Sequence, residues 1–435
     1  MTDQGRTLIR QLCVRRWQWL GALALLTGTM QPMHADSPLT WPQLRDRFEQ
    51  RNPILRAARA NLDEMRAEEI TAFLRPNPGL SILADGTQIT PGSGIWQPFA
   101  GTLYQGSLSY LHERQHKREL RLQSAREATA IAQSNYADQE RTLLFSLRNA
   151  FVQVLQAKAV LQNARDNLSY WDHELSINGD RFKAGDLAEV DLNRLQLQRA
   201  QFLSDVENAL VSFRTSKIQL LTLLNDRTPL DQFDVDGTFD FNAAMKPLPE
   251  FRDAALAARP DLQAARQTVD QAKINYNLAV ANGSTDPTFS GWWTHNGSFN
   301  NPGAFNTAGL SVSVPLRIFD RNQGEKARTH LDIGRSEQLE DATSASVFGD
   351  VDSAYWTLVQ ALNLLQPYKT TYLKLAGDVR DKISFSYRNG GASLLDLLDA
   401  EKSYRDTRLA YLNLIGSYLV AAAQMNMAVG QEILQ

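Results

Sequence analysis

The sequence predicts a mainly α-helical protein with a small β part, built from two copies of one structural unit. Three observations lead to this fold class. The chain contains an internal repeat, and each copy holds a long segment with helical periodicity. Each copy also holds a pair of short segments in which apolar and small polar residues alternate, as they do in β-strands.

The internal repeat is visible in matching short motifs. PILRAAR begins at Pro53 and PDLQAAR begins at Pro260, while RFKAG at 181–185 corresponds to SYRNG at 386–390. The separation between partners stays nearly constant along the chain, which a chance match would not maintain. We therefore divide the chain into a first repeat at 36–230, a linker at 231–247 and a second repeat at 248–435.

The first 35 residues are predicted to be a secretory signal peptide. Several arginines precede an apolar run from Trp17 to Thr29, and Ala35 is a small residue suited to cleavage. No later run approaches the roughly 18 consecutive apolar residues that a spanning helix needs. A protein of this kind would have to cross a membrane as a closed β-barrel. The only cysteine, Cys13, lies in the signal, so no disulfide is expected after it.

One β-hairpin is predicted in each repeat, at 79–111 and 288–315. Leu108 alternates with small serines in the first, and Val312 does so in the second. This pattern is typical of a strand with lipid on one side and water on the other, although a surface hairpin of a soluble domain could share it. Aromatic residues that suit a membrane interface occupy the connections, namely Trp96, Phe99, Phe299 and Phe305.

A long helical segment follows each hairpin. No proline interrupts 113–182 or 189–224, and apolar residues such as Leu147, Phe151 and Val154 keep coiled-coil spacing. A helix of about 70 residues would be roughly 105 Å long, at about 1.5 Å per residue. Gly185 and Gly390 mark tips where each helical segment turns back, a place where glycine also serves as an ordinary helix C-cap.

One short motif matches an enzyme signature but lacks the sequence context of that enzyme class. HERQH at 112–116 matches the HExxH signature of zinc proteases, which also need a third ligand; Glu127 or Glu140 could be nominated for it only by their distance along the chain. The motif directly follows a strand rather than lying in an apolar helix, and the second repeat has no histidine at the matching junction. The formal net charge of −3 also argues against a nucleic-acid partner. We predict no catalytic site, no metal site and no cofactor.

Two copies of helix, β-hairpin and helical hairpin behind a signal peptide resemble the TolC-like outer membrane efflux family. The resemblance covers nearly the whole chain after the signal. It includes Lys117-Arg118 after the first hairpin and PLRIFDR at 315–321 after the second. Within the family, the heavy-metal, CzcC-like branch is the most similar. The resemblance implies a homotrimer whose four strands per protomer form one shared barrel in the outer membrane of a Gram-negative bacterium. The long coiled-coil helices would then extend through the periplasm.

The resemblance also implies a function. The chain would be the exit duct of a tripartite efflux system, passively conducting heavy-metal cations or small toxic compounds. Its partners would be outer-membrane lipid, a periplasmic adaptor and an inner-membrane pump of the RND type. An exit duct for type I protein secretion would share these features. A secreted coiled-coil scaffold is the alternative from another class.

Family members line a periplasmic constriction with acidic residues six and nine positions after the second tip glycine. Asp396 and Asp399 match those positions, and a spacing of three places them on one helix face. Threefold symmetry would give two rings of carboxylates that attract cations, whereas an aspartate near a helix start can simply favour the helix dipole. Ala392 stands where some relatives carry a basic residue. The expected adaptor-docking residues at the tips are Arg181, Phe182, Lys183, Gly185, Leu187, Tyr387, Arg388 and Gly390.

Overall fold

The computed structural model describes residues 38–91, 94–99, 101–242, 244–295 and 303–434. The predicted signal peptide, Cys13 and Phe299 lie outside these ranges. The first half contains α1 (Trp41–Arg51), α2 (Pro53–Phe73), β1 (Gly79–Asp85), β2 (Leu103–Leu111), α3 (Lys117–Lys183) and α4 (Glu189–Leu223). The second half repeats this order with α5 (Leu248–Ala258), α6 (Pro260–Asn282), β3 (Thr288–His295), β4 (Asn306–Ser313), α7 (Gln323–Pro367), α8 (Leu373–Arg388) and α9 (Leu394–Val429).

Local sequence determines where the helices begin and end. The Asn52 side chain accepts hydrogen bonds from the Ile54 and Leu55 amides at 2.9 and 3.1 Å, and Pro53 occupies the first position of α2. Both features are favoured at a helix N-terminus. Helix α2 stops at Phe73, shortly before two prolines at 76 and 78, because proline restricts the residue before it and cannot continue a helix.

The four strands form one antiparallel sheet in the order β1-β2-β3-β4. Residues paired across the four strands form rows, and successive rows face opposite sides of the sheet. One row across the sheet is apolar or glycine, made of Leu80, Leu108, Gly291 and Leu310. The next row faces the other side and consists of Ser81, Ser107, Trp292 and Gly309. A Cβ on Gly309 would lie 2.4 Å from the Trp292 ring, so this strand position has room only for glycine.

Helix α3 is the central element of the helical part, because it contacts α2, α4, α6 and α9. Two large hydrophobic clusters lie along it. Phe48, Leu147 and Phe151 belong to the first, whereas Phe251, Leu358 and Met425 belong to the second. Each cluster draws mainly on one repeat, and the contacts of α3 with α6 and α9 join the repeats into one body.

The long helical segment of the second repeat is interrupted, unlike that of the first. Helix α7 ends at Pro367, and a π-helical turn at Tyr368–Tyr372 precedes α8. Proline has no backbone N–H to donate and its ring crowds the preceding turn, so a helix commonly adjusts around it. A wider π turn absorbs one extra residue without breaking the rod.

One helix among the described residues, α9, is long and apolar enough to cross a membrane by length and composition. More than half of its apolar window, 56%, is buried inside the protein. Ile415, Leu419 and Met425 of this helix belong to the second hydrophobic cluster. Its apolar character is therefore explained by packing against α7 and α3.

Candidate functional site at the helix tips

Two helix-to-helix turns with the same geometry form the predicted tips. Gly185 and Gly390 adopt φ values of +84° and +76°, which glycine reaches without steric strain. The Asp186 amide donates to the Arg181 carbonyl at 2.8 Å, and the Gly391 amide donates to the Ser386 carbonyl at 2.8 Å. These bonds span the same number of residues and satisfy carbonyls at the ends of α3 and α8, as in a Schellman motif.

A small hydrophobic cluster holds the two tips together. Trp171 of α3 is fully buried, and its indole N–H donates to the Leu195 carbonyl of α4 at 3.0 Å. Leu394 and Leu397 of α9 and Tyr387 of α8 belong to the same cluster. The tips of both repeats therefore form one site, which the positions of the glycines in the sequence did not show.

The residues expected to contact an adaptor differ in accessibility. Lys183 and Phe182 are exposed, and Lys183 makes only an exposed ion pair with Asp180. Tyr387 is buried, and its hydroxyl donates to Asn178 Oδ1 at 3.0 Å. Arg388 is bound to the buried Glu174 carboxylate. The Tyr387 and Arg388 side chains thus hold α8 against α3, and the accessible part of the tip lies around 182–185.

The remaining predicted tip residues have intermediate roles. The guanidinium of Arg181 lies 5.3 Å from the centre of the Tyr387 ring, and Leu187 packs on the tip cluster. Three exposed apolar side chains lie near these turns and were not singled out from the sequence, namely Val190, Phe385 and Leu395. Single apolar residues at helix ends carry no distinctive pattern, so sequence reasoning had little means of finding them.

Asp396 and Asp399 both lie on the exposed side of α9, opposite the buried Leu394 and Leu397. Asp396 also has a local structural role. Its carboxylate accepts from the Ser393 amide at 2.9 Å and the Ser393 hydroxyl at 2.7 Å, which completes a capping box. Hydrogen bonds from the side chain and the backbone of Ser393 hold the pKa of Asp396 below its ordinary value. Asp396 can therefore both cap the start of α9 and carry negative charge at the tip. Asp399 is not part of the capping box.

A layer of buried polar side chains lies just behind the tips. Glu174 and Asn178 of α3 are almost fully buried, as is Glu401 of α9. Asn178 accepts from Tyr387, and Glu174 pairs with Arg388, so side chains more than 200 positions apart meet here. Sequence reasoning did not find this layer because its members come from different repeats and follow no local spacing.

The HExxH residues do not form a zinc site. His116 adopts a left-handed backbone conformation before α3, with its side chain exposed. Glu113 is held in a two-pronged ion pair by Arg121, with N–O distances of 2.6 and 2.8 Å. The His112 ring lies against Phe289 of the sheet. Within the described part of the chain, no group of three or more His, Cys, Asp or Glu side chains is placed to hold a metal ion.

Comparison with known proteins agrees with this architecture. Residues 251–431 match the family described as "Outer membrane efflux protein". The cobalt-zinc-cadmium resistance protein CzcC of Cupriavidus metallidurans is 24% identical over 412 residues, which cover 93% of this chain and 94% of that protein. The outer membrane protein TolC of Escherichia coli is 24% identical over 319 residues, covering 70% of this chain and 64% of TolC.

Solved structures show the same fold. CusC superposes with a TM-score of 0.74 at 16% identity, over 90% of this chain and 92% of CusC. The outer membrane protein VceC of Vibrio cholerae gives a TM-score of 0.72 at 16% identity, over 90% and 96%. The fold is thus that of the TolC-like outer-membrane ducts. Residues 251–431 thus match the outer membrane efflux protein family, and over nearly all of its length the chain is similar to CzcC of the heavy-metal branch. It is an efflux channel of the outer membrane that extends into the periplasm, and not an enzyme.

Proposed function

We propose that three copies of this chain form the passive exit duct of a tripartite efflux system, which receives substrate from an inner-membrane pump and a periplasmic adaptor. The observation that carries this proposal is the open architecture of the single chain. In the part of the chain that the structure describes, the sheet and the layer of helices each end in two elements with a neighbour on one side only, and the two layers follow the same order along the chain.

The sheet edges come first. Strands β1 and β4 each pair on one side only, since the order is β1-β2-β3-β4. Unpaired N–H and C=O groups inside a bilayer would be costly, so an edge strand must pair with another chain. Edge β1 of one copy and edge β4 of the next are complementary, and repeating that contact around a threefold axis closes a barrel.

The helices next to the sheet have the same order. Helices α2, α3, α6 and α7 contact one another in sequence, which leaves α2 and α7 at the flanks. Exposed apolar side chains lie on both flank helices, including Ile70 and Phe73 of α2 and Leu331 and Leu339 of α7. A second copy placed edge to edge would cover them, which supports a ring of identical chains.

The two sheet faces fit a membrane duct. Leu80, Leu108 and Leu310 are exposed on the face that we assign to lipid. The opposite face carries Ser81 and Ser107, which suit a water-filled interior. Asp85 and His295 are the only acidic or basic residues in the two predicted hairpins, so the barrel section offers little electrostatic selection.

Selection is therefore proposed at the tips. Asp396 and Asp399 would form stacked carboxylate rings around the axis and concentrate cations at the entrance. Divalent heavy-metal cations are the favoured substrate class, because CzcC is named for cobalt, zinc and cadmium resistance. Small toxic compounds are the second candidate. The accessible tip surface around Phe182, Lys183 and Gly185 is the proposed adaptor-docking site, with Arg181, Leu187, Tyr387, Arg388 and Gly390 shaping it.

The test is to isolate the protein from native membranes with its partners and to measure tolerance in a deletion strain. We expect an RND-type pump and an adaptor to copurify, and the deletion strain to lose tolerance to cobalt, zinc or cadmium. Sensitivity only to organic compounds would reassign the substrate class. Copurification with an ABC-type exporter would favour the type I secretion alternative, and a protein without a pump or adaptor would contradict the proposal.

A further inference from the structure

We infer that Glu401, which lies next to the Glu174–Arg388 pair, is a buried proton-binding site that couples the packing of the two helical hairpins to pH. The site lies behind the tips, between α3 of the first repeat and α8 and α9 of the second. It does not depend on the proposed function, because the packing of these helices can be measured whatever the channel conducts.

Burial without full hydrogen bonding is the first observation. Glu174 has no exposed surface and Glu401 is 7% exposed. Each carboxyl has one buried oxygen without a hydrogen-bond partner, Oε2 in Glu174 and Oε1 in Glu401. An ionised carboxylate in such surroundings is poorly solvated, so it needs either a cationic partner or a bound proton.

The two carboxyls differ in their cationic partners. Arg388 of α8 is bound to Oε1 of Glu174, which leaves that pair close to neutral. Glu401 has no ion-pair partner within 4.0 Å among the residues that the structure describes. Arg405, one turn along the same helix, is directed to Asp205 of α4. An ionised Glu401 would therefore add a negative charge near Glu174 without a direct ion-pair partner of its own.

The other groups around Glu401 come from α3 and α8. Tyr170 of α3 lies beside it, with its hydroxyl 3.4 Å from Ser384 Oγ of α8. Arg380 of α8 is paired with Asp381 at 2.8 Å, and its guanidinium lies over the rings of Tyr170 and Tyr404. Burial raises the pKa of Glu401 above its ordinary value. Tyr170 and Arg380 oppose this shift, and the charges of Glu174 and Asp381 add to it.

The direction of the pH effect follows from these contacts. The packed hairpins hold the Glu401 proton more tightly than separated hairpins, in which the carboxyl would be solvated with a pKa near its ordinary 4.5. Acidification therefore stabilises the packing. A rise in pH above 4.5 weakens it progressively, until the pH passes the raised pKa and the effect levels off.

Hydrogen-exchange mass spectrometry of the purified full-length protein tests this inference. The readout is protection of backbone amides in peptides from 165–182 and 376–392, between pH 5 and 8, corrected for intrinsic exchange. The equilibrium constant for separation of the hairpins should rise by up to about tenfold per pH unit, because the packed state binds one proton more tightly. This rise is expected only between the ordinary and the raised pKa of Glu401. Glu401→Gln mimics the protonated carboxyl. We expect it to keep the protection of the acidic wild type and to lose the pH dependence.

Two further variants complete the experiment. Asp406→Asn removes an exposed carboxylate of the same helix and should leave the wild-type profile unchanged. Tyr170→Phe removes a group that lowers the pKa of Glu401, so its transition should move to higher pH. This variant decides the question even if Glu401→Gln fails to fold.

Three results would overturn the inference. The first is a Glu401→Gln protein that retains the wild-type slope, and the second is a Tyr170→Phe protein whose transition does not move. In the third, Zn²⁺ or Mg²⁺ added at pH 8 would restore protection in the wild type but not in Glu401→Gln, which would identify a metal cation as the occupant.

Discussion

Lys117 Nζ lies 2.6 Å from Asp286 Oδ2, in a buried contact that joins the start of α3 to the chain leading into β3. Lys117 also donates to the Ser284 carbonyl at 3.1 Å. The pair connects the helical part to the sheet and one repeat to the other. Burial alone would raise the pKa of Asp286, but hydrogen bonds from Lys117 and the Arg114 amide outweigh it and lower the pKa.

Removing this lysine should destabilise the protein strongly. Lys117→Ala leaves a largely buried carboxylate without its partner, a change that costs about 3 kcal/mol or more. The matched control is Lys183→Ala, whose exposed ion pair with Asp180 should contribute less than about 1 kcal/mol. Thermal unfolding of the purified proteins gives the comparison. Since the pKa of Asp286 is lowered, the wild-type contribution should be present above pH 3.8 and lost as the pH falls further. Equal effects of the two substitutions would show that the Lys117 pair is not special.

The tip turn can be tested with two glycines that are close in sequence. Gly185→Ala forces a Cβ into a φ of +84°, at a cost of about 1–2 kcal/mol. Gly179→Ala places alanine inside α3, where no atom lies within 4 Å of the new Cβ, and should gain about 0.5–1 kcal/mol. Denaturant unfolding should therefore give shifts of opposite sign. A loss of stability in both would argue that the left-handed turn is not what Gly185 provides.

The lipid-facing assignment predicts a difference between the two sheet faces. Leu108→Arg and Val312→Arg place a charge on the exposed apolar face and should cost about 2–4 kcal/mol near mid-bilayer, reducing assembled protein in outer membranes. Ser109→Arg and Ser313→Arg lie on the opposite face and should be milder. The measurement is the amount of folded protein extracted from the outer membrane. Similar losses from both faces would remove the basis for the assignment.

The proposed constriction predicts a specific electrical signature. In planar bilayers, multivalent cations added from the periplasmic side should block the wild-type channel by binding the carboxylate rings. The Asp396→Asn, Asp399→Asn double variant should be largely insensitive to these cations. Asp399→Asn alone is the cleaner change, because Asp396 also caps α9. Undiminished block in the double variant would mean that these aspartates serve only the helix start.

The candidate site was only partly accessible to sequence reasoning. Gly185 and Gly390 could be predicted as turn residues because a left-handed turn needs glycine, and Asp396 and Asp399 could be proposed as constriction residues because they match a family pattern. Tyr387 and Arg388 were predicted as docking residues, yet their side chains bind Asn178 and Glu174 of the same chain. Whether an exposed-looking polar residue faces solvent or another helix depends on the partner that packs against it.

The sequence by itself determined the elements of this protein, because the repeat, the strand alternation and the proline and glycine positions are local signals that residues impose on their own backbone. Only the tertiary structure decided how the elements meet. The pairing of Lys117 with Asp286 and the buried layer around Glu174 and Glu401 both involve packing between distant segments. Such contacts produce no periodic pattern in the sequence, because a hydrogen bond between helices requires only that the fold brings two side chains close together.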